Sequence, residues 1–219
     1  MTSKDSNYFI SYHEEPEMMD FWLENGFRHF GVYFFQYETS LIDEKVFHVM
    51  PLRIRLANFV QSKSQRKIMS KNADLKIVIR DAFVDDEKET LFFEHSERFS
   101  DNRPSSLFDF LSEDPATIPC QTKEICLYLG DKLVAVSFLD LGKESTSSVY
   151  AMFDLKESKR SLGIYTMLIE IELLKRLQKI FYYPGYGYHE SSLYDYKKKF
   201  SALEFLDWEE GWGRVINNG

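Results

Sequence analysis

The chain reads as an α+β protein, and three observations carry that reading. SSVYAMFDL (147–155) alternates apolar and small residues over a strand length, and a basic turn, KESKRSLG, follows it. From Leu162 to Ile180 apolar residues recur at helical spacing, after which FYYPGYGY (181–188) reads as a second strand. Upstream, EICLYLG and KLVAVSFLD are strand-like and meet at Gly130-Asp131, a two-residue hairpin turn.

The remaining elements follow in chain order. Residues 16–25 suit a short amphipathic helix with Pro16 at its start and Gly26 past its end; Met18, Phe21 and Trp22 are its buried candidates. Residues 28–37 and 45–56 look like strands, the second holding Pro51, which predicts an edge, a bulge or a break. Ser62 or Ser64 caps a helix running from about Gln65 to Asn72. LKIVIRDAF (75–83) alternates, and DDEKETLFFEHSERF (85–99) is a charged turn leading into a helix. Pro104, Pro115 and Pro119 mark 100–120 as an irregular connection around a short helix at SSLFDFLSE.

Composition narrows the class. With 44% hydrophobic residues among 219, the chain can bury a sizeable core. It has no apolar run of membrane-span length, and MTSKDSNYFI lacks a signal pattern, so a cytoplasmic protein without a membrane partner is expected. Cys120 and Cys126 are too few for a disulfide framework or a four-thiolate site, so the expectation is reduced thiols and no metal. A net charge of −8 disfavours nucleic acid in sum, yet the basic residues cluster. Lys63, Arg66, Lys67, Lys71, Lys76 and Arg80 oppose only Asp74; Lys156, Lys159 and Arg160 form a second group and Lys197–Lys199 a third. Taken singly, each is most simply a solvated face.

The turn at 156–163 is the place where chemistry concentrates. A basic, glycine-containing turn opening a helix suits phosphate, because the first N–H groups lack partners and the dipole favours an anion. Arg160-Ser161-Leu162-Gly163-Ile164-Tyr165 resembles the R-x-x-G-x-G/A turn of GNAT acyltransferases, with Tyr165 in place of the last small residue. A ring there is expected to crowd a coenzyme A pyrophosphate. SSVYAMFDLKESKRSLGIY, the EIELLK helix and GYGYHESSLYDYKKKF together resemble the arginyl/leucyl-tRNA–protein transferases, which carry a tyrosine at that place. SKSQRKIMSKNADL (62–75) resembles a second block of the same family, and the resemblance runs from about Phe21 onward.

The resemblance implies a GNAT-like β-β-β-α-β catalytic domain at 86–219 and a small α+β domain at 1–85. It implies transfer of arginine or leucine from aminoacyl-tRNA, as co-substrate and without a cofactor, to the N-terminal α-amine of a protein. By analogy that protein starts with Asp or Glu, as in the N-degron route to degradation. An α-amine is roughly one-tenth neutral at pH 7, which costs only about 1.4 kcal/mol, and the ester is already activated. Positioning, oxyanion stabilisation and modest proton removal then suffice.

Site roles follow by position in the blocks. Asp154, at a strand end, orients the amine or takes its proton, or else simply caps the turn. Lys156, Arg160, Ser161 and the Gly163 backbone are candidates for the phosphates or ribose of the tRNA end; a glycine this early in a helix costs about 1 kcal/mol and needs a reason. Ser64, Gln65, Arg66 and Lys67 match the active-site-side block and meet either an acidic N-terminus or tRNA phosphate. Tyr186, Ser191, Tyr196 and Lys197 match the last block, with Tyr186 a catalytic candidate and both tyrosines able to stack on bases. His189 is a low-ranking base candidate.

Two departures stand out. The cysteine cluster usual in this family is missing at Ser11-Tyr12-His13 and between Tyr37 and Met50, and Leu193-Tyr194 replaces a usual K-M pair. Two alternatives therefore stay open: a non-catalytic tRNA- or protein-binding descendant, and an acyl-CoA-dependent N-acetyltransferase.

Overall fold

Along β8 (Lys132–Leu141) both strand faces are largely apolar, and they are covered, as are both faces of β7 (Thr122–Leu129), where Glu124 is buried among apolar neighbours. The computed structural model describes residues 6–42, 44–99 and 103–214. Ile125, Leu127, Val134 and Leu139 pack with Leu168, Ile171 and Leu174 of α4 (Leu162–Arg176). Cys126, Leu133, Val136 and Phe138 pack with Leu91 and Phe92 of α3 (Asp86–Ser96). Each such side chain contributes roughly 1.5–3 kcal/mol on full burial, so a two-sided sheet is the stable solution for these strands.

Among the described residues the large sheet contains nine strands. From one edge it runs β12 (Gly211–Arg214), β11 (Leu203–Asp207), β5 (Lys45–Arg55), β10 (Phe181–Tyr188), β9 (Ser145–Phe153), β8, β7 and β6 (Lys76–Asp81), with β4 (Thr39–Ile42) pairing the start of β5. The β9–β10 pair is parallel, as the α4 crossover between them requires, and the other pairs are antiparallel. The expected β-β-β-α-β order is thus present as β7-β8-β9-α4-β10. A second sheet, β1 (Ser6–Ile10), β3 (Tyr33–Tyr37) and β2 (Arg28–Phe30), packs with α1 (Pro16–Glu24). Within the described residues no helix is long and apolar enough to cross a membrane.

Several local expectations are corrected. In α1 the buried residues are Met19 and Leu23, one turn apart, while Met18 and Phe21 are exposed. The strand expected over 28–37 is a hairpin bent at Gly31 (φ 51°). The helix expected to reach Ile180 stops at Arg176, because Gln178 takes a left-handed conformation (φ 57°) and the Ile180 N–H donates to the Glu144 carbonyl. Pro51 does fall at a break of the kind expected: it lies in an interior strand, in the gap between the stretch paired to β4 (45–48) and the stretch paired to β11 (52–54). The short helix at 105–113 is one 3-10 turn, Leu107–Asp109. The 85/86 boundary does not divide the large sheet, since β5 and β6 are hydrogen-bonded into it.

Candidate active site

β9 and β10 pair only from Ser145–Ser147 to Phe181–Tyr183, and both strands continue. The next β10 residues explain the parting: Pro184 has no N–H to give, and Gly185 is left-handed at φ 90°. The carboxyl-terminal halves therefore open a cleft in the sheet, the position at which parallel α/β units place ligands.

Part of the last motif block stands beside this opening. Lys197 is buried, donates from Nζ to the Tyr186 carbonyl at 2.9 Å, and stands 4.8 Å from the Tyr194 ring centre. Burial, reinforced by the charge of Arg28, brings the ammonium down to about 7. Tyr196 is half-buried, and burial pushes its hydroxyl up to about 12. Tyr186 is turned elsewhere. Its hydroxyl donates to the Gly26 carbonyl at 2.8 Å, its ring meets Tyr37 edge-on, and burial pushes its pKa up, so it stays protonated and ties β10 to the small sheet. Ser191 is exposed.

Asp154 follows β9 and is almost fully buried, with both carboxylate oxygens engaged. Oδ1 accepts from the Lys156 N–H at 2.8 Å and Oδ2 from Lys132 Nζ at 2.5 Å. Burial alone would raise its pKa; the Lys132 bond and the Lys156 N–H outweigh that and hold it below the usual carboxylate range. A committed, easily ionised carboxylate is a weak base. It lines a cleft of about 670 Å³ on the α3 side together with Asp86, Glu89, Glu94, Glu97 and Lys156. Five carboxylates against one lysine repel phosphate.

The turn after β9 is held rather than open. The Arg160 fork grips both oxygens of Asp74 at 2.8 and 2.9 Å, and its Nε donates to Glu157 at 2.9 Å. Lys71 Nζ and the Asn72 amide donate to the Lys159 and Arg160 carbonyls, fixing the end of α2 (Lys63–Lys71) against the turn. Ser161 is left-handed and forms no side-chain cap. Gly163 has a packing reason: a Cβ there would stand 3.2 Å from the Phe153 ring. Nor does the Tyr165 ring fill the turn. It is buried in the core, and its hydroxyl donates to the Asn72 carbonyl at 3.3 Å.

At the other end of α2, Gln65 is buried and forms the capping box with Ser62, which makes it a structural residue. Ser64, Arg66 and Lys67 are exposed. The structure therefore sets Lys197 against the carboxyl-terminal half of β10, while Gln65 serves the α2 cap.

Three residues at the opening escaped the sequence reading. The Tyr150 hydroxyl is buried without a partner, while its ring stacks on Phe110 at 4.0 Å. Arg98 stands close enough to Tyr150 and Tyr196 to favour their ionised forms and lies 5.6 Å from the Phe153 ring centre. Glu170 of α4 is fully buried, accepts from the Tyr182 hydroxyl, and has its pKa raised by burial. Tyr150 was readable only as one of thirteen tyrosines, and Glu170 only as an acid on a helix.

Comparison with known proteins bears on residues 83–207, which match the family profile of the arginine-tRNA-protein transferase C terminus. An aspartate/glutamate leucyltransferase of Campylobacter jejuni is 25% identical over 189 residues, 84% of this chain and 77% of that one. One from Acinetobacter baumannii is 29% identical over 83% of this chain and 66% of its own length. Among solved structures, the C-terminal domain of a putative lysylphosphatidylglycerol synthetase from Agrobacterium fabrum superposes with a TM-score of 0.48 at 14% identity. That match covers 80% of this chain and about half (53%) of the other.

Proposed function

The chain belongs to the arginine-tRNA-protein transferase family, and from that premise we propose that it moves leucine from leucyl-tRNA to the N-terminal α-amine of proteins beginning with Asp or Glu. Family membership makes it an aminoacyltransferase; the donor and the acidic acceptor rest on the names of the relatives. The observation that carries the site is the β9–β10 opening, with Lys197, Tyr150, Tyr194, Tyr196 and Arg98 about it. Aromatic faces and cations of this kind suit the unpaired adenosine end of a charged tRNA.

In the proposed step the amine nitrogen adds to the ester carbonyl, the new C–N bond forms, and the ribose C–O bond breaks. The amine gives up one proton and the ribose oxygen gains one. Neutral Lys197, near 7 and beside the opening, takes the proton; Asp154, already committed to Lys132, holds the turn. Aminoacyl-tRNA is the only co-substrate this chemistry needs. The test is transfer of label from individually charged tRNAs to peptides starting with Asp, Glu, Arg, Lys or Ala. Leucine on Asp- and Glu-peptides is the expected result. Label on Arg- or Lys-peptides alone overturns the acceptor, and tRNA retention without transfer favours the binding-only descendant.

Of the turn residues, Arg160, Ser161 and Gly163 are proposed to meet the tRNA end, with Asp74 now occupying the Arg160 fork in the way a phosphate does, while Lys156 faces the acidic cleft. Asp74 is half exposed, so water screens its pairing with Arg160 and a phosphate can displace it. Asp74→Asn is expected to tighten tRNA binding up to about fivefold. Arg160→Ala is expected to lower the log–log salt slope by about 0.7. An unchanged slope in Arg160→Ala would make the fork a structural clamp only.

A further inference from the structure

Where β2, the segment before β7, and β8 meet, three metal-ligating side chains converge in the interior. His29 Nε2, Cys120 Sγ and one Asp140 oxygen lie within 4.8 Å of one another, on residues that are 6%, 3% and 1% exposed. Cys120 and Asp140 flank one hairpin, and His29 comes from about ninety residues earlier in the chain. None takes part in the proposed transfer, and the following inference does not rest on that reading.

Hydrogen-bond accounting makes the cluster unusual. The His29 Nδ1 stands 2.8 Å from the Gly31 carbonyl, which can only accept, so the ring proton belongs on Nδ1. That leaves a lone pair on Nε2 of the neutral ring, 2.6 Å from Asp140 Oδ2, also an acceptor. On the neutral ring acceptor faces acceptor, so either a second ring proton, giving an imidazolium that donates to Asp140, or a metal cation lies between them. The Asp140 carboxylate is oriented from behind, since Thr122 Oγ1 donates to its other oxygen at 2.7 Å. A histidine fixed through its far nitrogen and a carboxylate fixed through its far oxygen are the supports that metal ligands characteristically have.

We infer that His29, Cys120 and Asp140 form a site for a divalent transition-metal cation of the zinc class, which fastens the small sheet to the large one. A nitrogen, a thiolate and a carboxylate suit this class. At metal–ligand distances of roughly 2.0–2.3 Å, tetrahedral ligands are about 3.3–3.7 Å apart. The His29–Asp140 contact opens by under about 1 Å to reach that, and the thiol proton leaves as the metal enters. Two cysteines are too few for a four-thiolate site, but a mixed site needs only one.

The test uses the full chain with Zn²⁺ or Co²⁺ alone. After excess metal is added and removed by gel filtration, about one equivalent of Zn²⁺ is expected to remain. Co²⁺ is expected to give a thiolate charge-transfer band that Cys120→Ser abolishes. Thr122→Val, which leaves all three ligands in place, is expected to weaken Zn²⁺ binding 10–100-fold. A chelator is expected to lower the melting temperature of the native chain, a readout that does not depend on any variant folding. Less than about a tenth of an equivalent retained, or a cobalt band that persists in Cys120→Ser, overturns the site and leaves a proton between His29 and Asp140.

Discussion

Lys197→Met is expected to make the protein more stable and far less active. The native ammonium is buried against the Tyr186 carbonyl and brought down to about 7, against about 10.4 in an unfolded chain. Roughly three pKa units correspond to about 4 kcal/mol that the fold gives up to keep this side chain where it is. Methionine fills the same space without a charge. It leaves the Tyr186 carbonyl without this donor, which costs about 1–3 kcal/mol. The net gain is about 1–3 kcal/mol near pH 6.5, or roughly 3–10 °C in melting temperature for a chain of this size.

The sign of the pH dependence separates this account from simple repacking. Between pH 7 and about 10.4 the native state binds fewer protons than the unfolded state, so the native chain gains stability as pH rises through that window. Below pH 7 the full penalty is present. The advantage of Lys197→Met is therefore expected to be largest at pH 6 and to vanish or reverse by pH 10. Transfer is expected to fall about 10²–10⁴-fold, with loss of a rate ionisation near 7. A variant that is more stable, fully active and unchanged in pH profile would remove Lys197 from the chemistry. Stability given up at a functional position is a common trade.

Lys197 also shows how far the sequence could be read. Lys197-Lys198-Lys199 looks like a solvated run, yet a 3-10 turn sends the first lysine inward and leaves Lys199 exposed. Local patterns were legible: the hairpin at Gly130, the α2 cap at Ser62, and the strand–turn–helix–strand order all depend on neighbours within a few residues. What stayed hidden depends on partners far along the chain. β5 inserts between β10 and β11, Arg160 meets Asp74 across 86 residues, and His29 meets Asp140 across 111. Gly163 shows the same limit from the other side, since only the fold reveals that Phe153 occupies the space its Cβ would take.

The same long-range logic governs α3, which leads directly into Arg98 at the opening and holds its place through a buried charge network. Glu124 of β7 and Lys88 of α3 are both fully buried, 3.2 Å apart; Arg80 of β6 reaches the same carboxylate at 2.6 Å, and Asp85 holds Lys88 at 2.9 Å. Glu124→Leu leaves Lys88 in the interior with Asp85 as its remaining carboxylate, a loss expected to cost about 3–5 kcal/mol. That is a large share of the roughly 5–15 kcal/mol that holds a domain folded. The double variant Lys88→Met/Glu124→Leu removes both charges, while Arg80, whose side chain is 37% exposed, turns to water. It is expected to recover most of the loss, because replacing a buried ion pair by apolar groups of similar volume is often neutral or better. Denaturant titration of the two single variants and the double gives the coupling directly. Additive costs would mean that the network is no unit. Transfer activity adds a second reading: a double variant that refolds but does not transfer would show that the charges, and not only the placement of α3, matter to the site.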